Sequence, residues 1–308
     1  MRGNVRILGA PARLARIALT AIVALVLAGV TPASANNKVI LFGDSWGALM
    51  GSALATQFDL NGHADYDVLN LSIPGSTADA YANNAGGVMD ATLAYIVATP
   101  EVQYVVISLG GNDMHALYPS QGLNANVLIE ADLRVIVDRI NAARPGLQIL
   151  LTGYDILKWD KSNECLLIAY ATFQGHVLPW EVNPVYMDYA SHLSAISASY
   201  ANVTYVNEPL GLWGTGQGNP GVPNLLAWSP SSYVASDNLD CVHLSSGGYN
   251  QFTAQIYAKY FKPRLGGGTP CGTIAGSGSA AAKSLAMALP VLVPMMVASR
   301  LRRRARPS

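Results

Sequence analysis

Lys38-Val39-Ile40-Leu41-Phe42-Gly43-Asp44-Ser45-Trp46-Gly47 sets the pattern that the rest of the chain repeats. A short apolar run ends in a glycine, and from Ala48 to Phe58 the apolar residues recur at helical spacing. That order predicts a strand, a tight turn and a helix. The same unit recurs downstream. Tyr66 to Ile73 reads as a strand ahead of Pro74-Gly75, and Ala78 to Val97 as a helix. Val102 to Leu109 is a β-branched run ending in Gly110-Gly111. The helix predicted after it, Val127 to Ala143, puts Leu133, Ile136, Val137 and Ile140 on one face. Leu147 to Thr152 and Val203 to Val206 supply a fourth and a fifth strand, with a helix over Val185 to Tyr200 between them and a last helix over Gly247 to Phe261. Strands alternating with helices predict one doubly wound α/β domain: a five-stranded, mostly parallel sheet with helices on both faces. In such sheets a site lies at the carboxyl ends of the strands. Two long non-periodic stretches, Ile156 to Asn183 and Glu208 to Asn238, hold Trp159, Trp180, Trp213 and Trp228 and read as loops that line or cover a site.

The charge is uneven along the chain. All 308 residues together balance 19 Lys+Arg against 19 Asp+Glu, and 12% charged with 51% apolar residues excludes a disordered chain. The absence of a basic surplus excludes a nucleic-acid binder working by bulk electrostatics. Residues 1–35 carry Arg2, Arg6, Arg13 and Arg16 and no acid, while residues 268–308 carry Lys283, Arg300, Arg302, Arg303, Arg304 and Arg306 and no acid. Residues 36–267 therefore keep 9 basic residues against all 19 acids, a formal charge of 9 − 19 = −10.

Each basic end also has an apolar run. Ile17 to Val30 followed by Ala33-Ser34-Ala35 has the order of a secretory signal peptide cut after Ala35. No Arg-Arg pair precedes the run, which favours general secretion over twin-arginine export. The domain then spans 36–265. Residues 266–308 read as a Gly/Ser/Ala linker, an apolar segment from Leu285 to Ala298 broken by Pro290 and Pro294, and a closing Arg cluster. An apolar segment backed by arginines is a stop-transfer pattern, and it is similar to the C-terminal sorting signals of bacterial exported proteins. Membrane attachment or recognition by sorting machinery is the expectation for this tail, with Cys271 either a processing or lipidation site or an unpaired thiol.

Three motifs follow predicted strands. Ser45 sits on the turn between the first strand and its helix, where the helix N-terminus favours negative charge. Gly110-Gly111-Asn112-Asp113 ends the third strand, with Asn112 able to aim an amide N–H at a developing oxyanion. Ser72-Ile73-Pro74-Gly75-Ser76 ends the second, and Gly75 could offer a backbone N–H to the same point. Asp240-Cys241-Val242-His243 precedes the last helix. A serine hydroxyl needs an imidazole base to attack an ester, and the base needs a carboxylate to fix its tautomer. Asp240, three residues before His243, supplies one by a single turn; Asp237 is the competing orienter. His63, His176 and His192 fall in no such arrangement and in no metal-ligand spacing, so they read as surface or packing residues. His115, just after the Asn112 block, is placed in the substrate pocket. In an exported domain Cys165 and Cys241 are expected to pair as a disulfide that ties the Asp240–His243 loop to the 156–183 insertion.

The four blocks, Gly-Asp-Ser, Gly75, Gly-Gly-Asn-Asp and Asp-x-x-His, come in this order over residues 40–245 and resemble the SGNH, or GDSL-type, hydrolase family. The resemblance implies the flavodoxin-like sheet of that family and an esterase or lipase. It implies Ser45 as nucleophile, His243 as general base and acid, and Asp240 as its orienter. The oxyanion hole would be the backbone N–H groups of Ser45 and Gly75 with the Asn112 side chain. No metal and no cofactor is called for. Trp46 stands where the family often has Leu and is expected beside the acyl pocket. Two substrate classes compete, lipid or short-chain esters and O-acetylated carbohydrate, beside a third reading as a non-catalytic surface-binding protein on a hydrolase scaffold.

Overall fold

A computed structural model describes residues 36–155, 157–206, 228 and 240–266. The signal-peptide, linker and anchor readings, Cys271, Asp237 and nearly all of the 208–238 stretch lie outside the described residues. Among the described residues, no helix is long and apolar enough to cross a membrane.

Five parallel strands form one sheet: β1 (Asn37–Gly43), β2 (Tyr66–Asn70), β3 (Val102–Ser108), β4 (Gln148–Leu151) and β5 (Val203–Tyr205), in the order β2-β1-β3-β4-β5. Val39 to Phe42 and Val105 to Ile107 are buried at every position, the signature of strands covered on both faces. α1 (Ser45–Leu60) packs against the late helix α8 (Ser246–Ile256), while α2 (Ala78–Ala82), α3 (Val88–Ala98), α5 (Asn124–Ala143) and α7 (Pro179–Ser199) pack in succession. The chain leaves β1 toward β2, then crosses back to β3 on the other side. The carboxyl ends of β1 and β3 thus flank the topological switch point, where a crevice opens. Gly43 makes that closeness possible: a Cβ there would lie 2.0 Å from the Ser108 carbonyl oxygen.

Several elements differ from the sequence reading. The helix expected over 78–97 is two helices, α2 and α3, because Asn84, Gly86 and Gly87 take left-handed φ of 54°, 64° and 77° between them. Gly111–Gln121 is a helix, α4, with Pro119 inside it. The stretch read as a loop over 156–183 is largely helical: a 3₁₀ turn at Trp159–Lys161, α6 (Asn163–Thr172) and the start of α7, which begins at Pro179 rather than Val185. Pro179 occupies the first turn of α7, where its missing N–H costs nothing. Trp159 is fully buried, so it is a core residue and not a loop aromatic.

Candidate active site

Ser45 is the first residue of α1, directly after β1. Its neighbours fix the turn from both sides. The Asp44 carboxylate caps the helix by accepting from Trp46 N–H at 2.9 Å, and the Asp44 N–H donates to the Ser108 carbonyl at 2.8 Å. The Trp46 ring is buried edge-on against Tyr154, Tyr249 and Phe252, and its indole N–H donates to the Val242 carbonyl at 2.7 Å. Trp46 thus ties the Ser45 turn to the loop carrying His243, besides lining the cleft.

On that loop His243 Nε2 is 2.7 Å from Ser45 Oγ, and Nδ1 is 3.0 and 2.9 Å from the two Asp240 oxygens. A carboxylate can only accept, so Nδ1 carries the proton and Nε2 is left to accept from the serine hydroxyl. Asp240 also accepts from the Val242 and His243 backbone N–H groups at 3.2 and 3.0 Å, which curls the loop around the carboxylate. Two further ties hold it. Lys161 Nζ donates to the Asp240 carbonyl at 2.8 Å, and Cys241 is bridged to Cys165 of α6, with Cα atoms 5.4 Å apart.

The blocks after β2 and β3 are joined to each other. Ile73 to Ser76 form a tight turn closed by Ser76 N–H donating to the Ile73 carbonyl at 3.1 Å, with Pro74 and then Gly75 at φ +82° in its centre. This is type II geometry, which needs glycine at that position and leaves the Gly75 N–H outside the turn's own hydrogen bond. Gly75 is exposed and is not among the residues lining the cleft. Asn112 does line it; its Nδ2 donates to the Ser76 carbonyl at 2.9 Å, leaving a second amide hydrogen. Buried Asp113 accepts from the Ala78 and Asp79 backbone N–H groups at 2.8 and 3.2 Å, so the last residue of the block caps α2. Burial raises its pKa, and those two N–H groups offset part of the rise.

Tyr154 was not singled out from the sequence. It is buried beneath the site, where its hydroxyl accepts from the Gly111 N–H at 2.7 Å and donates to Asp44 Oδ2 at 2.5 Å. It bridges the Ser45 turn to the Asn112 block. Burial pushes the Asp44 pKa up to about 6, against the pull of the Tyr154 hydroxyl and the Trp46 N–H. The signal was present, since Thr152-Gly153-Tyr154 follows the fourth strand and sits where the carboxyl-end rule directs attention.

A cleft of about 430 Å³ opens beside Ser45 and His243. Met114, Leu157 and Ile168 give it an apolar wall, and His115 and Tyr186 line it as well. His115 stacks near Trp159 and Phe173, with ring centres 5.5 and 6.4 Å away, and desolvation lowers its pKa to about 4. The other histidines are elsewhere. His63 packs on Tyr66 and Tyr257, His176 is 3.3 Å from Glu181, and His192 joins Glu130 between α5 and α7.

Among solved structures the chain is similar to TesA, with 18% identity over 74% of this chain and 99% of that one at a TM-score of 0.46. It is similar to the esterase EstA from Pseudoalteromonas sp., with 17% identity over 75% and 100% at 0.44. An acetylxylan esterase from Geobacillus stearothermophilus, solved as a catalytic mutant, matches with 13% identity over 73% and 94% at 0.47. A search of curated protein sequences finds no match. The model of the GDSL-like lipase/acylhydrolase family matches residues 28–251, so the chain belongs to that family and is a carboxylic ester hydrolase.

Proposed function

We propose that the ester is cleaved at Ser45 through an acyl-enzyme, in a protein that works outside the cytoplasm. The observation that carries this reading is the unbroken hydrogen-bonded line from Asp240 through His243 to Ser45 Oγ. Oγ attacks the ester carbonyl as its proton passes to His243 Nε2. The imidazolium that forms is stabilised by Asp240. The tetrahedral oxyanion is met by the Ser45 and Gly75 N–H groups and the free hydrogen of the Asn112 amide. His243 then returns the proton to the departing alkoxide, the carbonyl re-forms, and Ser45 is left acylated. A water gives its proton to the same nitrogen, attacks the acyl carbon, and releases the acid with Ser45 restored.

Export is supported by the signal-like N-terminus and by the Cys165–Cys241 bridge, which suits an oxidising compartment. The apolar wall of Met114, Leu157 and Ile168 suits an acyl chain. A chain-length series assayed beside acetylated polysaccharide separates lipid-like esters from O-acetylated carbohydrate.

Ser45→Ala should abolish p-nitrophenyl ester hydrolysis and fluorophosphonate labelling with an unchanged thermal melt. A variant that still turns over at the wild-type rate removes Ser45 from the mechanism. A folded wild type that neither labels nor hydrolyses esters is a binding protein on this scaffold.

A further inference from the structure

Two helices begin at the crevice, and one hydroxyl group serves the start of both. Ser45 is the first residue of α1 and Asn112 the second of α4. Helix N-termini leave backbone N–H groups unpaired. In α1 the Asp44 cap accepts from the Trp46 N–H at 2.9 Å. In α4 the capping residue is Gly110, which has no side chain to offer. There the Gly111 N–H donates to Tyr154 Oη at 2.7 Å, and the same hydroxyl donates to Asp44 Oδ2 at 2.5 Å. Tyr154 is buried three residues past the end of β4, with its ring against those of Trp46 and Tyr189.

Gly110 and Gly111 make room for this arrangement. A Cβ on Gly111 would lie 2.8 Å from Tyr154 Cζ, and one on Gly110 would lie 2.5 Å from the Tyr189 hydroxyl, which donates to the Leu109 carbonyl. The paired glycines thus let two tyrosine rings close on the start of α4.

We infer that Tyr154 is a positioning residue that fixes the distance between Ser45 and Asn112, so that its hydroxyl acts on the rate of the chemical step and not on substrate binding. The inference deepens the proposed function and rests on it, because it takes Ser45 as the nucleophile and Asn112 as an oxyanion donor.

A group standing between an N–H and a carboxylate must accept and donate at once, and a tyrosine hydroxyl does both. Burial, with Asp44 alongside, raises the Tyr154 pKa well above the ordinary value, so the proton it gives Asp44 stays in place. Each block has a further anchor of its own: the Asp44 N–H donates to Ser108 on β3, and Asn112 donates to Ser76 in the turn after β2. Tyr154 relates the two blocks to each other. Phenylalanine would fill its space but leave the Gly111 N–H and Asp44 Oδ2 without this partner. An oxyanion donor counts only at hydrogen-bond distance from the place where the charge develops. A misplacement of about 1 Å can cost about 10²-fold in rate.

Tyr154→Phe should lower kcat about 10- to 100-fold on p-nitrophenyl butyrate, with KM within about threefold of the wild type. Titration to completion with a fluorophosphonate counts the competent sites, so that kcat refers to folded enzyme. Asn112→Ala supplies the second readout. It removes the donor and should itself cost about 10²–10³ in kcat. With no donor left to place, adding Tyr154→Phe should cost no more than about threefold further. A tyrosine that only supports the fold would lower the melt and leave kcat per site unchanged.

An unchanged kcat per site in Tyr154→Phe overturns the inference, and so does a loss as large beside Asn112→Ala as without it. If Tyr154→Phe does not fold, Gly111→Ala takes its place. Gly111 has no left-handed φ, so alanine fits its backbone, and the new Cβ pushes the Tyr154 ring away from α4. The same fall in kcat and the same shrinkage beside Asn112→Ala are expected, and the same two results overturn the inference. Fluorophosphonate labelling of the wild type separates the two levels. A protein labelled at Ser45 whose kcat ignores Tyr154 loses this positioning role alone, whereas one that is not labelled loses the serine mechanism and the role with it.

Discussion

Asp44 should make the protein less stable as pH rises from acid to neutral, and Asp44→Asn should remove that slope. The carboxyl is 2% exposed, and burial lifts its pKa to about 6 from an ordinary 3.8. The folded state therefore holds its proton more tightly than the unfolded chain does. Asp44 contributes its stabilisation fully below pH 3.8 and loses it as pH rises through about 6. A pKa difference of about 2 is worth ~3 kcal/mol, of which ~2.5 kcal/mol is still present at pH 4 and almost none at pH 7.5. Asparagine is an equally good helix N-cap and can still accept from the Trp46 N–H, so the substitution removes the charge and keeps the turn.

Urea unfolding followed by tryptophan fluorescence, at several pH values from 4 to 8, gives ΔG for both proteins. Other titrating groups are common to the two and largely cancel in the difference. The wild type should lose ~2–3 kcal/mol relative to Asp44→Asn between pH 4 and 7.5, with the change centred between 4 and 6 and a plateau above 7. A difference flat within ~0.5 kcal/mol, or one rising in favour of the wild type with pH, refutes the argument that desolvation outweighs the Tyr154 and backbone hydrogen bonds at this carboxylate.

Replacing Cys165 and Cys241 together by Ser opens a link across a sequence separation of 76. The chain-entropy estimate for that span is ~4 kcal/mol, read as a lowered urea midpoint, with esterase activity falling as the His243 loop loosens. Gly43→Ala would force a Cβ to 2.0 Å from the Ser108 carbonyl oxygen, so β1 and β3 must separate. The expected loss is ~3 kcal/mol or more in a melt, and a wild-type melt would show that the strands can part freely. Asp240→Asn keeps the loop's backbone contacts but presents the wrong hydrogen-bonding partner to His243 Nδ1. A fall in kcat of about 10³–10⁴ with little change in KM is expected, read by p-nitrophenyl ester kinetics.

The inner strands β1, β3 and β4 were legible because they are short, largely apolar runs whose positions are mostly buried, whereas the edge strands β2 and β5 are only partly buried and were legible from the turns that end them. Ser45, Asn112, Asp240 and His243 were legible because each lies in a local block directly after a strand or before a helix. The helices around the cleft were harder to read for a physical reason. In α6 the buried residues are Cys165, Ala169 and Thr172, while Leu167, Ile168 and Tyr170 face outward, so its apolar residues mark the wrong face. α4 buries only Asp113, Met114 and Tyr118 and contains a proline, which gives no periodic pattern. Tyr154 was missed because it acts as a single side chain. A lone tyrosine in sequence does not say whether its hydroxyl meets a backbone N–H or a carboxylate.

Those solitary contacts explain how residues as far apart as Ser45 and His243 keep a 2.7 Å contact. The turn holding Ser45 is held in place because β1 is paired on both sides, with β2 and β3, and Asp44 is anchored by Tyr154. Among the described residues, the loop holding His243 has no strand to define it. It is instead fastened on three sides: by the Trp46 indole at Val242, by Lys161 at the Asp240 carbonyl, and by the bridge from Cys241 to α6. Two of these ties originate in the 156–183 insertion and the third in Trp46, the residue after Ser45. Leucine, which often occupies the Trp46 position in this family, could fill the space but has no N–H to give Val242. Trp46 therefore acts in this structure as a fastening for the His243 loop. The ordering entropy of a strandless loop is offset by contacts placed within three residues of the imidazole, where a shift of 1 Å would cost the most in rate.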